Sequence, residues 1–320
     1  MRRRALRETS HRNLGPRRFH AQLRAVSRPV TFPPALRPGD PVRIIAPSGP
    51  FDRTVFDRGL ARLSARYSVR MQQGVYSRHG FFAGDDARRL AELNEALRDT
   101  QSKAILVARG GHGLLRLTHE ADFSPLTAHP QWLVGFSDVT LLHLECARRG
   151  LASIHASNIT GLGSPEDTGW NLYHSQLESP TLEREYPTIT WHPGTARGPL
   201  FGGNLAVLHA SLASGRLFIP PGCILLLEEI AEAPYRIDRL LTAMLLARVF
   251  DAVAGVVVGQ LHQCNPGDHG TSAEAVIQER LGVLKIPVVH TAVIGHGAPN
   301  WPITLGLNAE ITADGPLRVG

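Results

Sequence analysis

The sequence predicts an α/β protein built on parallel sheet and divided into two domains, and three observations carry this. Short apolar runs of strand length alternate with stretches whose apolar residues recur at helical spacing, the pattern of a parallel sheet covered on both faces. A polar stretch rich in Pro, Gly, Ser and Thr interrupts this rhythm at 162–198. The chain has 320 residues, enough for two domains of ordinary size.

The elements follow in order. VRIIAPSGP (42–50) is an apolar run ending in Ser, Gly and Pro, which reads as a buried strand and its exit loop. Phe56, Leu60 and Leu63 recur at helical spacing, and DDARRLAELNEALRDT (85–100) is an amphipathic helix with Leu90, Leu93 and Leu97 on one face. AILVA (104–108) is a strand followed by the glycine-rich loop RGGHG (109–113). WLVGF (132–136) is a strand, 138–149 a helix that Gly150 can terminate, and LASIHAS (151–157) a strand. Beyond the polar break, FGGNLAVLHASLAS (201–214) is a glycine loop opening a helix, and CILLLEEI (223–230) is a strand ending in acids. YRIDRLLTAMLLARVF (235–250) and SAEAVIQERLG (272–282) are helices; VAGVVVGQL (253–261), IPVVHTAVIGHG (286–297) and ITLGLNAEITA (303–313) are strands. The expected plan is a basic disordered extension (1–35), an N-terminal α/β domain (36–165), a linker (166–198) and a C-terminal α/β domain (199–320).

Charge argues against a nucleic-acid partner. The formal net charge is +6, but residues 1–40 hold ten Arg against Glu8 and Asp40, which is +8, so the rest of the chain carries −2. The basic character belongs to the N-terminal stretch, not to a binding face. That stretch has no apolar h-region, so it does not read as a secretory signal. It loosely resembles an Arg-rich transit peptide, and a disordered extension is the plainer reading. No apolar run approaches the length of a membrane span. Cys146, Cys223 and Cys264 are widely spaced, odd in number and contain no CxxC, which fits a reducing, cytoplasmic compartment. There are fifteen His but no HExxH, so neither a metal nor a cofactor is expected.

Sites in open α/β sheets form beyond the carboxyl ends of the strands. Ser137, in VGFSDVT (134–140), sits where a strand gives way to a helix. A serine on such a turn can be an exposed nucleophile; Ser and Asp there are also ordinary helix caps. Gly110 and Gly111 follow the 104–108 strand, Glu228 and Glu229 end another, and His296 stands between Gly295 and Gly297. Together these supply a nucleophile, a base, an acid to orient the base and amides for an oxyanion. Each also has a plain reading: Glu228 as a solvated strand end, His296 as a loop residue, RGGHG as a turn. His290 is a rival base, but it lies within an apolar run and reads as core.

Seven ordered blocks, LRPGDPVRIIAPSGP, FFAGDDARRLAELNEAL, AILVARGGHGLLRL, LVGFSDVTLLH, GGNLAVL, LLLEEIAEAPYRIDRLLTAML and IGHGAPNWPITLG, resemble the LD-carboxypeptidases. These serine peptidases include the microcin-immunity peptidases. The resemblance runs from about Leu36 to the C-terminus. It implies an N-terminal parallel-sheet α/β domain, a smaller C-terminal α/β domain and an active site between them. It implies a Ser137–Glu228–His296 triad, with the backbone amides of Gly111 and Asp138 as oxyanion hole. It implies a cytoplasmic homodimer that removes the terminal D-Ala of murein tetrapeptide in peptidoglycan recycling. Arg109 and Arg236 are candidates for the substrate carboxylate, and His112 and Asn204 for the pocket. Here RGGHG replaces the family's usual RGGYG, so specificity would differ if His112 lines the pocket; LEE replaces LED, with Glu229 beside the triad acid, and HASN (155–158) replaces HGP, while the Ser, Glu and His positions are intact.

Three rivals remain. An α/β-hydrolase esterase expects G-x-S-x-G, and Val139 stands at the last glycine. A non-catalytic binding protein would be favoured by a lost triad residue, and none is lost. A peptidase of peptide–nucleotide antibiotics needs an adenine platform, for which Trp170 or Trp191 would serve.

Overall fold

The computed structural model describes residues 29–166 and 169–320. Two sheets organise it. The first contains β1 (Pro41–Ile45), β2 (Ser68–Arg70), β3 (Ala104–Val107), β4 (Trp132–Gly135) and β5 (Ser153–His155), in the order β5-β4-β3-β1-β2, all parallel. Alternate residues of its strands enter different cores. Val42, Ile44, Ala104 and Leu106 pack on one face, and Ile45, Ile105 and Val107 on the other. Burial on both faces is why these strands read as continuous apolar runs rather than as alternating ones.

The second sheet is mixed and has eight strands. It takes β6 (Arg184–Tyr186), β7 (Ile189–His192), β8 (Ala196–Asn204), β9 (Ile224–Ile230), β10 (Gly255–His262) and β11 (Val288–His290). After β12 (Ile303–Leu305), β13 (Asn308–Ile311) and β14 (Leu317–Val319) complete it. Its centre, β8-β9-β10-β11, is parallel.

Several stretches differ from the sequence reading. Residues 166–198, expected as a linker, hold a helix (Trp170–Glu178) and two strands of the second sheet, β6 and β7. Their short length and polar composition hid edge strands that need only one apolar face. FGGN is not a loop but the end of the nine-residue β8. Its glycines permit close packing: a Cβ at Gly202 would lie 2.0 Å from the Leu226 carbonyl oxygen. The run 286–297 is strand only to His290, and the rest is the loop that carries His296. The run 303–313 breaks at Gly306 (φ +99°). Before the break, β12 pairs antiparallel with β5 in the first sheet; after it, β13 joins the second. The C-terminal region thus closes the edge of the N-terminal sheet.

Of the extension expected at 1–35, residues 1–28 lie outside the described residues. The remainder is built into the fold. Thr31 N donates to Gly150 O, and Thr31 O accepts from Ala152 N. Val30 and Phe32 pack on the cores, and Trp132 Nε1 donates to Pro34 O at 2.9 Å. An arginine-based boundary missed this because the apolar Val30 and Phe32, not the charges, decide where packing begins.

The halves meet tightly beside Ser137. Asn204 N donates to Thr140 Oγ1 at 3.0 Å, and a Cβ at Gly203 would stand 2.5 Å from that hydroxyl. Leu144 and Ala147, on the helix Thr140–Arg148, belong to the core of the second sheet.

Candidate active site

The β4 strand ends at Gly135 and the chain turns sharply. Ser137 takes φ +67°, a left-handed conformation that a non-glycine residue adopts at a cost of order 1 kcal/mol. A 3-10 turn (Ser137–Val139) leads into the helix Thr140–Arg148. Space at the turn is scarce: a Cβ at Gly135 would lie 2.7 Å from Asn158 Oδ1, which also accepts from Phe136 N. The turn lifts the serine out of the strand line, a placement that can expose a nucleophile.

Asp138 does not face solvent. Its carboxylate is buried and accepts from Ser48 Oγ at 2.6 Å and from Leu114 N at 2.9 Å. It therefore ties together the exit loops of β1, β3 and β4. Burial pushes its carboxyl above the usual range, against the pull of these hydrogen bonds.

The glycine loop meets the serine at Gly110. A Cβ there would sit 2.8 Å from Ser137 Cβ and 3.1 Å from its Oγ. Gly111, at φ +100°, follows and lies over Gly49. Sequence reasoning named Gly111 for the oxyanion; it is at Gly110, its neighbour, that a side chain would collide with Ser137.

On the other side, Glu228 near the end of β9 is fully buried, and its Oε2 lies 2.6 Å from His296 Nδ1. Burial opposes ionisation of this carboxyl. The attraction and hydrogen bond of His296, with the nearby His155 ring adding to the pull, outweigh burial and hold the group down at about 2. The His296 ring packs on Phe136, the residue before Ser137, with centroids 4.6 Å apart. The His296 loop is clamped by Gln260, whose Nε2 donates to the carbonyls of Ala292 (2.7 Å) and Pro299 (2.9 Å) and whose Oε1 accepts from Gly297 N (2.5 Å). Asn300 Oδ1 accepts from Gly295 N at 3.2 Å. Nothing local in the sequence marked Gln260; its partners are 32 or more residues away.

The remaining candidates scatter. Glu229 binds Asn204 Nδ2 (3.0 Å), Ile230 N (2.8 Å) and Ala206 N (2.8 Å). Asn204 Oδ1 also caps the helix Leu205–Ala213 through Val207 N. Both polar atoms of Asn204 are thus engaged within the fold. Arg109 is exposed and donates to Pro50 O. His112 is exposed beside Phe81 and Phe82. Arg236 is exposed beside Glu232, at 3.8 Å, and the Tyr235 hydroxyl. His290, the rival base, bonds the Val258 carbonyl and stacks on Trp191. A cavity of about 100 Å³ opens beside His296, lined among others by Phe136, Ser157, Glu166 and Asn300.

Residues 42–156 match the LD-carboxypeptidase N-terminal domain, and residues 197–311 match its C-terminal domain. The chain is 32% identical to a probable murein peptide carboxypeptidase of Bacillus subtilis, over 87% of this chain and 91% of that protein. It is 30% identical to the murein tetrapeptide carboxypeptidase of Pseudomonas aeruginosa, over 82% and 90%. Among solved structures, the muramoyltetrapeptide carboxypeptidase of Oxalobacter formigenes superposes with a TM-score of 0.76 at 25% identity, covering 88% of this chain and 98% of that one. The chain therefore belongs to the LD-carboxypeptidase family and is a serine-type carboxypeptidase with that family's two-sheet α/β fold.

Proposed function

We propose that this chain hydrolyses the LD-peptide bond before the terminal D-Ala of murein tetrapeptide, with Ser137 as nucleophile, His296 as base and Glu228 as the acid that orients it. One observation carries the residue roles. A fully buried carboxylate bonds Nδ1 of a histidine whose ring packs on Phe136, and the next residue is a serine held in a left-handed turn. The murein substrate is supported by the names of the relatives.

With Nδ1–H donated to Glu228, Nε2 of His296 is left as an acceptor for the serine proton. Ser137 Oγ attacks the carbonyl carbon of the diamino acid. The oxyanion is met by the amides of Asp138 and of Gly111 in the glycine loop, which has no side chain at Gly110 to collide with Ser137. As the C–N bond breaks, His296 protonates the departing amine of D-Ala; water, deprotonated by His296, then cleaves the acyl-enzyme. Arg109 and Arg236 are the candidate cations for the D-Ala carboxylate, and His112 is a candidate for the pocket wall. Asn204 acts from behind, by holding Glu229 beside the acid.

The antibiotic-directed reading is less supported, because the relatives are named for murein peptides and each candidate platform already stacks on a neighbour. Trp191 stacks on His290 at 4.9 Å, and Trp170 stacks on Tyr173 at 5.9 Å. A cytoplasmic setting is supported by Cys146, Cys223 and Cys264 being free, buried, widely spaced and odd in number. The homodimer rests on family resemblance, and sedimentation velocity tests it. No helix among the described residues is long and apolar enough to cross a membrane.

The deciding experiment incubates the protein with L-Ala-D-Glu-meso-diaminopimelate-D-Ala and follows D-Ala, with Ser137→Ala in parallel. Release by the wild type alone is expected. No release from a protein that a serine-directed phosphonate labels at Ser137 would retain the chemistry and overturn the substrate.

A further inference from the structure

Glu228 has two oxygens, and only one is accounted for. Oε2 holds His296; Oε1 is buried without a hydrogen-bond partner. Facing it across the boundary between the sheets is His155, the last residue of β5, which is 0% exposed. Both ring nitrogens of His155 are also buried without a hydrogen-bond partner, and its Nε2 lies 4.0 Å from Glu228 Oε1. Unpartnered buried polar atoms are rare in folded proteins, and each calls for a reason. Here a donor and an acceptor confront each other, a small side-chain rotation short of a hydrogen bond.

We propose that His155 is a positioning residue for the acid–base pair, donating Nε2–H to Oε1 of Glu228. The proposal rests on the Ser137–Glu228–His296 reading above. A carboxylate tethered through one oxygen can rock about its terminal bond and carry the His296 ring with it. A second tether, from the other sheet, fixes the carboxylate plane. It also shares the carboxylate's charge, so the proton between Glu228 and His296 stays on the imidazole. The groups facing His155 come from three other elements and the serine turn. Glu228 approaches from β9. His143, on the helix Thr140–Arg148, lies with its ring centroid at 6.3 Å and bonds Ser153 Oγ and the Gly135 carbonyl. Phe136 stands edge-on to His155 at 5.9 Å and against His296 at 4.6 Å. Ile303 of β12 pairs with His155 in the sheet, so the C-terminal strand fixes the backbone of this residue.

The test compares His155→Gln, which can place an amide donor near the position of Nε2, with His155→Leu and His155→Asn, which cannot reach Oε1. D-Ala release, phosphonate labelling rate and the pH profile of kcat/KM are measured on each, alongside Ser137→Ala. Leu and Asn are expected to lower kcat roughly 10- to 100-fold with KM changed less than about threefold. Their acid limb should move up by about half a pH unit or more, because a more basic Glu228 holds the His296 proton harder. Gln should recover most of the rate and the wild-type limb. A folded Leu or Asn variant with wild-type kcat and profile overturns the proposal. So does equal damage in all three with an unmoved limb, which is the mark of packing alone. Turnover surviving in Ser137→Ala would overturn the triad instead.

Discussion

The two strand ends that carry the proposed triad are built on different principles. At the end of β4, everything needed is contiguous: Gly135 for space, Phe136 for packing, Ser137 in the left-handed turn, Asp138 to bind the neighbouring loops. At the end of β9, nothing is. Glu228 meets His296 from 68 residues away, and Gln260 holds the loop from a third strand. Even adjacent carboxylates diverge there. Glu228 is held low by His296 despite its burial; burial dominates at Glu229 and pushes it up, while three donors tie it to Asn204 and the backbone. A nucleophile can be made by local geometry, whereas an acid–base pair needs register between distant strands.

The largest effects should come from the proposed reacting groups on both sides. Ser137→Ala and His296→Ala are each expected to lower kcat by roughly 10³- to 10⁶-fold, and Glu228→Gln by about 10⁴-fold, with folding intact by circular dichroism. A Glu228→Gln loss below about tenfold would mean that the β9 end is not part of the machinery. Next, Gly110→Ala should slow acylation by roughly 10- to 100-fold, because the new methyl would press on Ser137 at 2.8 Å. Burst kinetics with an activated ester would read this directly. Gln260→Ala should cost less, about tenfold in kcat with a small change in melting temperature, since it loosens the His296 loop without touching the nucleophile. If Gln260→Ala lowered stability more than rate, the clamp would serve the fold and not the base.

The same contrast explains what the sequence made legible. Strands β1, β3, β4, β9 and β10 announce themselves because both faces are buried and the residues run apolar. The serine turn was visible for the same local reason. The polar edge strands β6 and β7 were not, and neither was the break at Gly306, because a glycine within an apolar run looks alike whether the strand bends or stops. FGGN misled in the opposite direction: its glycines mark close approach to Leu226, not a loop. His155 was visible only as part of HASN. Its meaning depends on Glu228 lying across from it, which no local pattern encodes.

The smallest predicted effect separates burial from catalysis on the β4 side. His143 is buried beneath the serine turn, and burial, helped by His155, holds its ring down at about 3 from a usual 6.5. Its folded form stays neutral between those values while the unfolded form takes a proton, so stability falls as pH drops through that window, by up to ~1.4 kcal/mol per pH unit. Glu228 adds a loss only below about 4.5, toward its folded value of about 2. Glu92, Asp138 and Glu229, all raised, act with the opposite sign at the acid end. The clean measurement is therefore a difference. The urea-unfolding free energy of wild type minus that of His143→Gln, between pH 6.5 and 5, should shrink steadily as pH falls. A difference flat across that range would mean that His143 takes up its proton in the folded state, and that the ground beneath Ser137 is charged rather than neutral.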